Sequence, residues 1–436
     1  MRCVIIAAGR GTRMSSQPLP KPLVRVGGLS LLERVMASAA EAGLTGFVVV
    51  TGHRAEEVAA HAREVAARRG LEVEIVPNPQ WERGNAASVL TGARAAGGRF
   101  VLAMADHVLA PEIFTRLLKD PPAPGEIALA VDTAVHNPLV DMDDVTRVQL
   151  NQGRVVAIGK GLTPFSGFDT GAFVCTEAII PALERSLAEG DGSLTWAVRL
   201  LASKGRVKAV DVTGLKWVDV DEPEAIAKAE HMLLRSAGAK PTDGPVARHI
   251  NRPVSARITR WLIHTPLTPN HITLIAFGLS LVGAAMMAAG SWAWLAAGGL
   301  MVQLASIVDG CDGEVARIKH MRSDYGAWMD AVLDRYSDGI VLGAMAIGGW
   351  AMGGGWWAII GGWAAIVGSF VVSYTADKYD AMMRARMGRG VRIGRDIRLG
   401  LVAVGAVAGL PTITLWTIGV LMNLEGIRRV YVCRQA

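Results

Sequence analysis

Asp309-Gly310-Cys311-Asp312-Gly313-Glu314-Val315-Ala316-Arg317, followed by Gly326, Asp330 and Asp334, sets four carboxylates into sequence that otherwise reads as membrane. Asp309 and Asp312 close an apolar run from Leu295 to Val308, and Asp330 and Asp334 open another from Tyr325 to Met352. Spacings of three and four place each pair on one face of a helix, so a tight turn between two helices brings all four together. A carboxylate at a bilayer centre costs about 2.5–3.5 kcal/mol on insertion scales, so partial immersion of four approaches roughly 10 kcal/mol. Such a cluster persists where a metal or a proton relay needs it. Clustered carboxylates suit oxygen-seeking Mg²⁺, with Mn²⁺ or Ca²⁺ as alternatives, bridged by a pyrophosphate. Gly313 and Ala316 are small enough for a nucleotide to approach the helix, and Arg317 offers a phosphate fork.

The order D-x2-D-G-x2-A-R-x8-G-x3-D-x3-D resembles the signature of the CDP-alcohol phosphotransferases, membrane enzymes that pass a phospho-alcohol from a CDP donor to an acceptor hydroxyl. The resemblance implies that Asp309, Asp312, Asp330 and Asp334 hold metal and that Asp334 also acts as the base. It further implies that Gly313, Ala316 and Arg317 meet the nucleotide.

Outward from this motif the 436 residues divide. Residues 1–236 mix charged helices with short Val/Ile-rich strands, the pattern of a cytosolic α/β domain with a Rossmann-like sheet. A Pro/Gly-rich linker covers 237–247. Residues 248–436 carry long apolar runs, read as an all-α membrane domain of six transmembrane helices near 270–289, 293–316, 325–352, 356–379, 390–410 and 411–430. The last two could instead be one helix bent at Pro411. Residues 247–264 interleave apolar positions with arginines and read as an amphipathic helix at the membrane surface. Arginines and lysines crowd alternate connections, while those near 289–292, 353–355 and 409–412 have none. The positive-inside rule then puts both termini and the aspartate cluster in the cytoplasm of a multi-pass cell-membrane protein. The net charge of +6 comes from these loops and points to anionic headgroups or phosphorylated substrates rather than nucleic acid. Four scattered cysteines suggest reduced cytosolic thiols, and the N-terminus reads as a first strand rather than a signal peptide.

That first strand, Cys3 to Ala8, runs into Gly9-Arg10-Gly11-Thr12-Arg13-Met14 and then Pro20-Lys21-Pro22-Leu23. A glycine-rich loop after a strand exposes backbone N–H groups to phosphate, with Arg13 and Lys21 supplying positive charge. The string resembles the signature of the sugar-phosphate nucleotidyltransferases, which join an NTP to a phosphorylated sugar or alcohol. Val101 to Asp106 is an apolar strand ending in a carboxylate, and Trp217-Val-Asp219-Val-Asp221 presents alternate carboxylates. Asp106 with Asp219 or Asp221 could hold Mg²⁺ between the reacting phosphates. The resemblance implies that Ala8, Gly9, Gly11, Gly84, Asn85 and Ser88 meet the nucleotide and that Lys21 and Arg13 act in catalysis. His53 and His107 read as polar packing residues.

A transferase that consumes a CDP-alcohol beside a domain that makes an NDP-alcohol selects CTP. The whole order resembles the bifunctional inositol-1-phosphate cytidylyltransferase/di-inositol-phosphate phosphate synthases. Asn78-Pro-Gln-Trp81, Asp143-Asp144, Ile158-Gly-Lys160, Asp169-Thr170-Gly171, Pro269-Asn270-His-Ile-Thr273 and Gly394-Arg-Asp-Ile-Arg398 extend the match. This resemblance implies CTP, inositol 1-phosphate and CDP-inositol as ligands, and an osmolyte precursor as product. Lys160 and Asp169 would meet the first substrate, and Lys378, Arg395 and Arg398 the acceptor phosphate. Glycine-rich helix faces permit a homodimer. Two other readings stand beside this one: a lipid enzyme using CDP-diacylglycerol or another polyol phosphate, and a nucleotide-binding membrane sensor without catalysis.

Overall fold

The computed structural model describes residues 1–14, 17–238, 243–384 and 394–435. The chain forms two compact units, Met1–Leu233 and Leu234–Ala436. The middle of the linker (239–242) and the start of the fifth expected span (390–393) lie outside the described residues.

The first unit is built on a nine-stranded mixed sheet. Its parallel half runs Glu72–Pro77, Gly46–Thr51, Arg2–Ala7, Phe100–Met104. The central strands are near-continuous Val, Ile and Ala because helices cover both sheet faces, which leaves no polar side to alternate with. Strand Gly167–Cys175 then pairs antiparallel with both Phe100–Met104 and Ile127–Asp132, followed by Val207–Asp211, Arg154–Lys160 and Thr146–Asn151. A two-stranded ribbon pairs His107–Leu109 with Trp217–Asp219, setting Asp219 opposite His107. The glycine-rich loop and Asp106 both follow the carboxyl ends of adjacent parallel strands, where ligands of open α/β sheets bind. All four cysteines are free, three of them buried.

The second unit is helical. A single π turn, Ala247–Asn251, leads into Arg252–Leu262. Helices Pro269–Ala288, Trp292–Ile318, Asp324–Gly349, Gly355–Tyr374, Arg395–Val407 and Pro411–Gln435 follow, with a short helix Ala376–Arg384 between the fourth and fifth. The chain turns at 408–410, so the final segment is two helices rather than one bent at Pro411. Pro269–Ala288, Trp292–Ile318 and Asp324–Tyr374 are long and apolar enough to cross a membrane; the last breaks at Gly353, where φ is 95°.

Small residues let these helices meet closely: a Cβ on Gly298 would stand 2.5 Å from the Gly283 carbonyl oxygen. Met287, Val302, Val341, Met345, Leu415 and Ile418 fill the interior. Trp356, Trp363, Ile413 and Leu424 face outward and are exposed. An outer surface this apolar, with three membrane-length segments, belongs to a membrane-associated protein.

Candidate active sites

In the first unit, Lys21 sits between two carboxylates, donating to Asp106 Oδ2 at 2.7 Å and to Asp221. Arg13 donates to Asp144 Oδ2 at 2.8 Å and to Asp221, and Lys160 Nζ lies 2.5 Å from Asp144 Oδ1. His107 Nδ1 is 2.8 Å from Asp106 Oδ1 and 3.8 Å from Asp219 Oδ1. Burial would lower the Lys21 amine, but Asp106, Asp221 and Asp219 outweigh it and hold it above its ordinary range. Burial likewise pushes Asp106 up; Lys21 and His107 overcome that and hold it well below the carboxylate range. His107 is raised to about 9, because Asp219 and Asp106 outweigh its burial. Asp219 is raised to about 6, chiefly by burial, despite the pull of His107. Asp169, half-buried and accepting from the Gly171 amide at 2.8 Å, is raised to about 6 by desolvation.

Ligand atoms of Asp106, His107 and Asp219 lie within 4.8 Å of one another, and so do those of Asp144, Asp219 and Asp221. Asp219 Oδ1 is buried without a hydrogen-bond partner among the described residues. Carboxylates with an unsatisfied oxygen fit a hard divalent cation.

Arg13, Asn85, Asp106, Lys160, Asp169, Asp219 and Asp221 line one cavity, and Gly9, Gly11 and Lys21 line its neighbour with Asp106 and Asp221. Gly84 precedes helix Asn85–Ala96 with φ 99°, and a Cβ there would stand 2.3 Å from the Gly192 carbonyl oxygen. Ser88 is buried and accepts from Asn78 at 3.0 Å, and the Ala8 carbonyl accepts from the His53 amide at 2.9 Å. Neither residue is among those lining the two cavities. Two residues were missed. His107, read as packing, lies between two expected ligands because strand register sets it opposite Asp219; Asp144 ties Arg13 to Lys160 from a distant loop. Neither pairing has a local signal.

In the second unit the two motif helices are joined by a tight turn. The Met321 amide donates to the Ala316 carbonyl at 2.9 Å, and Ser323 caps the next helix by accepting from the Gly326 amide at 3.0 Å. Carboxylate oxygens of Asp309, Asp330 and Asp334 converge within 4.8 Å of one another, an all-oxygen set that fits a divalent cation. Asp312 lines the same cavity but accepts from Thr273 Oγ1 at 2.6 Å. Arg395 reaches into the cluster through Nη1, 2.9 Å from Asp309 Oδ2 and 2.6 Å from Asp334 Oδ1. Arg398 lines this cavity and donates to the Ser369 carbonyl at 3.0 Å and to Ser373 Oγ at 3.2 Å.

Lys378 is not among the lining residues; it is exposed and stacks 5.8 Å from the Tyr374 ring. Gly313, Ala316 and Arg317 are also outside the lining, and Arg317 Nε donates to the Ala237 carbonyl at 2.7 Å. Two buried carboxylates went unread. Glu314 accepts from Arg252 at 2.9 Å, Ser255 at 2.7 Å and Thr259 at 2.6 Å, which pins helix Arg252–Leu262 to the first motif helix. Arg252, one of the arginines interleaved through 247–264, is thereby half-buried and ion-paired with Glu314. Asp338 continues the four-residue spacing of Asp330 and Asp334, a signal the sequence did carry.

A mixed sheet presenting a glycine-rich loop to paired carboxylates, followed by helices that gather motif aspartates, defines a two-domain transferase. Residues 3–190 match the MobA-like NTP transferase domain and residues 266–427 match the CDP-alcohol phosphatidyltransferase family. Enzymes of both families generally use divalent metal ions. A bifunctional IPC transferase and DIPP synthase of Rubrobacter xylanophilus is 43% identical over 434 residues, covering 98% of this chain and 95% of its own. The protein of that name from Aquifex aeolicus is 32% identical, covering 98% and 97%. Its counterpart in Thermococcus kodakarensis is 36% identical, covering 79% and 75%. The chain belongs to the bifunctional IPC transferase and DIPP synthase family.

Proposed function

We propose that the chain catalyses two successive transfers: CTP and inositol 1-phosphate give CDP-inositol and pyrophosphate, and CDP-inositol with a second inositol 1-phosphate gives a phosphorylated di-inositol phosphodiester and CMP. One observation carries the reading: a donor-making site and a donor-consuming site, each with its aspartates present and gathered, lie in one chain whose relatives share both halves.

In the first step a phosphate oxygen of inositol 1-phosphate attacks the α-phosphorus of CTP in line, and the bond to the β-phosphate breaks. Lys21 and Arg13 neutralise the charge that develops, and Gly9 and Gly11 let the backbone approach the phosphates. Lys160 and Asp169 face the inositol phosphate from the adjoining cavity. Mg²⁺, when bound by Asp106 with Asp219 or Asp221, would screen the reacting phosphates from one another.

In the second step the acceptor hydroxyl attacks the phosphorus bearing inositol, Asp334 takes its proton, and CMP leaves. Arg395 and Arg398 hold the acceptor's phosphate, and Asp309, Asp312 and Asp330 complete the set that would hold Mg²⁺ or Mn²⁺. Six helices of the second unit, from Pro269–Ala288 to Pro411–Gln435 without the short Ala376–Arg384, span the bilayer, with both termini and the catalytic domain of residues 1–236 in the cytoplasm, as the arginine-bearing connections support.

Two variants test the order of steps. Asp106→Asn should make no product from CTP yet transfer normally from supplied CDP-inositol, while Asp334→Asn should accumulate CDP-inositol. Product from CTP in Asp106→Asn, or no transfer from supplied CDP-inositol, contradicts the reading.

A further inference from the structure

Asp338 lies one helical turn beyond Asp334 on the face that carries Asp330, yet it stands outside the motif. It is 3% exposed, and three guanidinium groups surround it. Arg395 Nε donates to Oδ1 at 3.0 Å, while Arg398 Nη2 and Arg335 Nη2 approach Oδ2 at 3.2 and 3.4 Å. Arg395 is thus shared. Its Nε edge rests on Asp338, and its Nη1 rests on Asp309 and Asp334, two of the converging carboxylates.

A guanidinium on those carboxylates competes with any divalent cation for the same oxygens. Arg395 is half-buried, and an arginine largely removed from water must also keep a counter-charge, because an unpaired buried ion is far costlier than a paired one. With Asp338 present, Arg395 stays neutralised while Asp309 and Asp334 turn to a cation. Without it, Arg395 has only the reacting carboxylates to fall back on. Arg398 is 4% exposed and lines the same cavity, and its buried Nε has no hydrogen-bond partner among the described residues.

We infer that Asp338 is a positioning residue for the transfer step: it fixes Arg395 and Arg398 at the acceptor end of the cavity and gives Arg395 a counter-charge to keep when a cation takes the carboxylates of Asp309 and Asp334. This rests on the reading that those two arginines bind the acceptor's phosphate.

The test uses the purified full chain in detergent with supplied CDP-inositol, Mn²⁺ at saturating concentration for each variant, and varied inositol 1-phosphate. Asp338→Asn should raise the acceptor KM by about tenfold or more while leaving the donor KM within about twofold. Mn²⁺ binding, read from the EPR signal of the free ion without substrate, should weaken by about fivefold or more as Arg395, left without Asp338, holds Asp309 and Asp334 more tightly. Pyrophosphate release by the first unit should be unchanged. Acceptor KM and Mn²⁺ affinity both within about twofold of the parent, or donor and acceptor KM rising together as a merely structural role would give, overturns the proposal.

If Asp338→Asn does not fold, Asp338→Glu decides. It keeps the charge but displaces both guanidinium groups, so acceptor KM should rise by about threefold or more at parental Mn²⁺ affinity; a parental acceptor KM overturns the proposal. Arg398→Ala separates the two ideas. An unchanged acceptor KM there defeats the acceptor-phosphate reading, whereas a raised KM with a parental Asp338→Asn defeats the positioning role alone.

Discussion

The two sites solve one electrostatic problem with different parts. In the first unit a cation, Lys21, lies between Asp106 and Asp221; in the second, Arg395 lies on Asp309, Asp334 and Asp338. Each must handle phosphate charge beside carboxylates that repel one another. The first gathers Arg13, Lys21, Asp106, Asp144 and Asp221 from loops that only the sheet brings together. The second takes its four motif aspartates from two consecutive helices, then imports its arginines from a third helix. A sheet can collect distant residues at its carboxyl edge, whereas helices in a membrane must write the constellation into their own periodicity.

That contrast predicts independent failure. Asp106→Asn should lower CTP-dependent pyrophosphate release by about 10³-fold or more and leave transfer from CDP-inositol intact, because Asp106 neutralises Lys21 and, on the proposed reading, would also hold the metal. Loss of both activities in a folded Asp106→Asn chain would break the comparison. Asp334→Asn should slow transfer by about 10²–10⁴-fold, the usual weight of a general base, with CDP-inositol still bound. A near-parental rate would move the base elsewhere.

Smaller effects sharpen the difference. Gly84→Ala must put a Cβ at φ 99° and against the Gly192 carbonyl oxygen, so it should raise the KM for CTP by about tenfold without touching transfer. The first unit should also respond to pH. His107 is raised to about 9 from the ordinary histidine range, so its pairing with Asp219 and Asp106 stabilises the fold fully below about pH 6.5 and is lost as pH rises through about 9. In EDTA, the melting midpoint of the first unit should therefore fall between pH 6.5 and 9, and His107→Gln should flatten that slope. A slope unchanged by His107→Gln would remove the histidine from the account.

How much could be read beforehand follows the same divide. The tight turn between the motif helices and the gathering of Asp309, Asp330 and Asp334 follow from spacings of three and four residues in adjacent stretches. Asp312 stands outside that trio; its carboxylate accepts from Thr273, on another helix, and from the Gly313 amide. In the first unit, Asp106, Asp219 and Asp221 were visible as strand-end carboxylates. His107 and Asp144 were not, since their partners are set by strand register and by a loop more than a hundred residues from Arg13. Lys378 shows the limit of charge counting: it belongs to the basic run but points its amine at Tyr374 rather than into the cavity. Ser88 belongs to a helix start that faces the cavity through Asn85, and its own hydroxyl is spent on Asn78.

The most direct test of two coupled transfers in one chain is a product balance. The purified full chain, given CTP, inositol 1-phosphate and Mg²⁺, is followed by mass spectrometry and by pyrophosphate and CMP assays. The account predicts pyrophosphate and CMP in equal final amounts, with a phosphorylated di-inositol phosphodiester as end product and CDP-inositol rising and then falling. CDP-inositol that accumulates without CMP, or a clear preference for another nucleoside triphosphate, would contradict it.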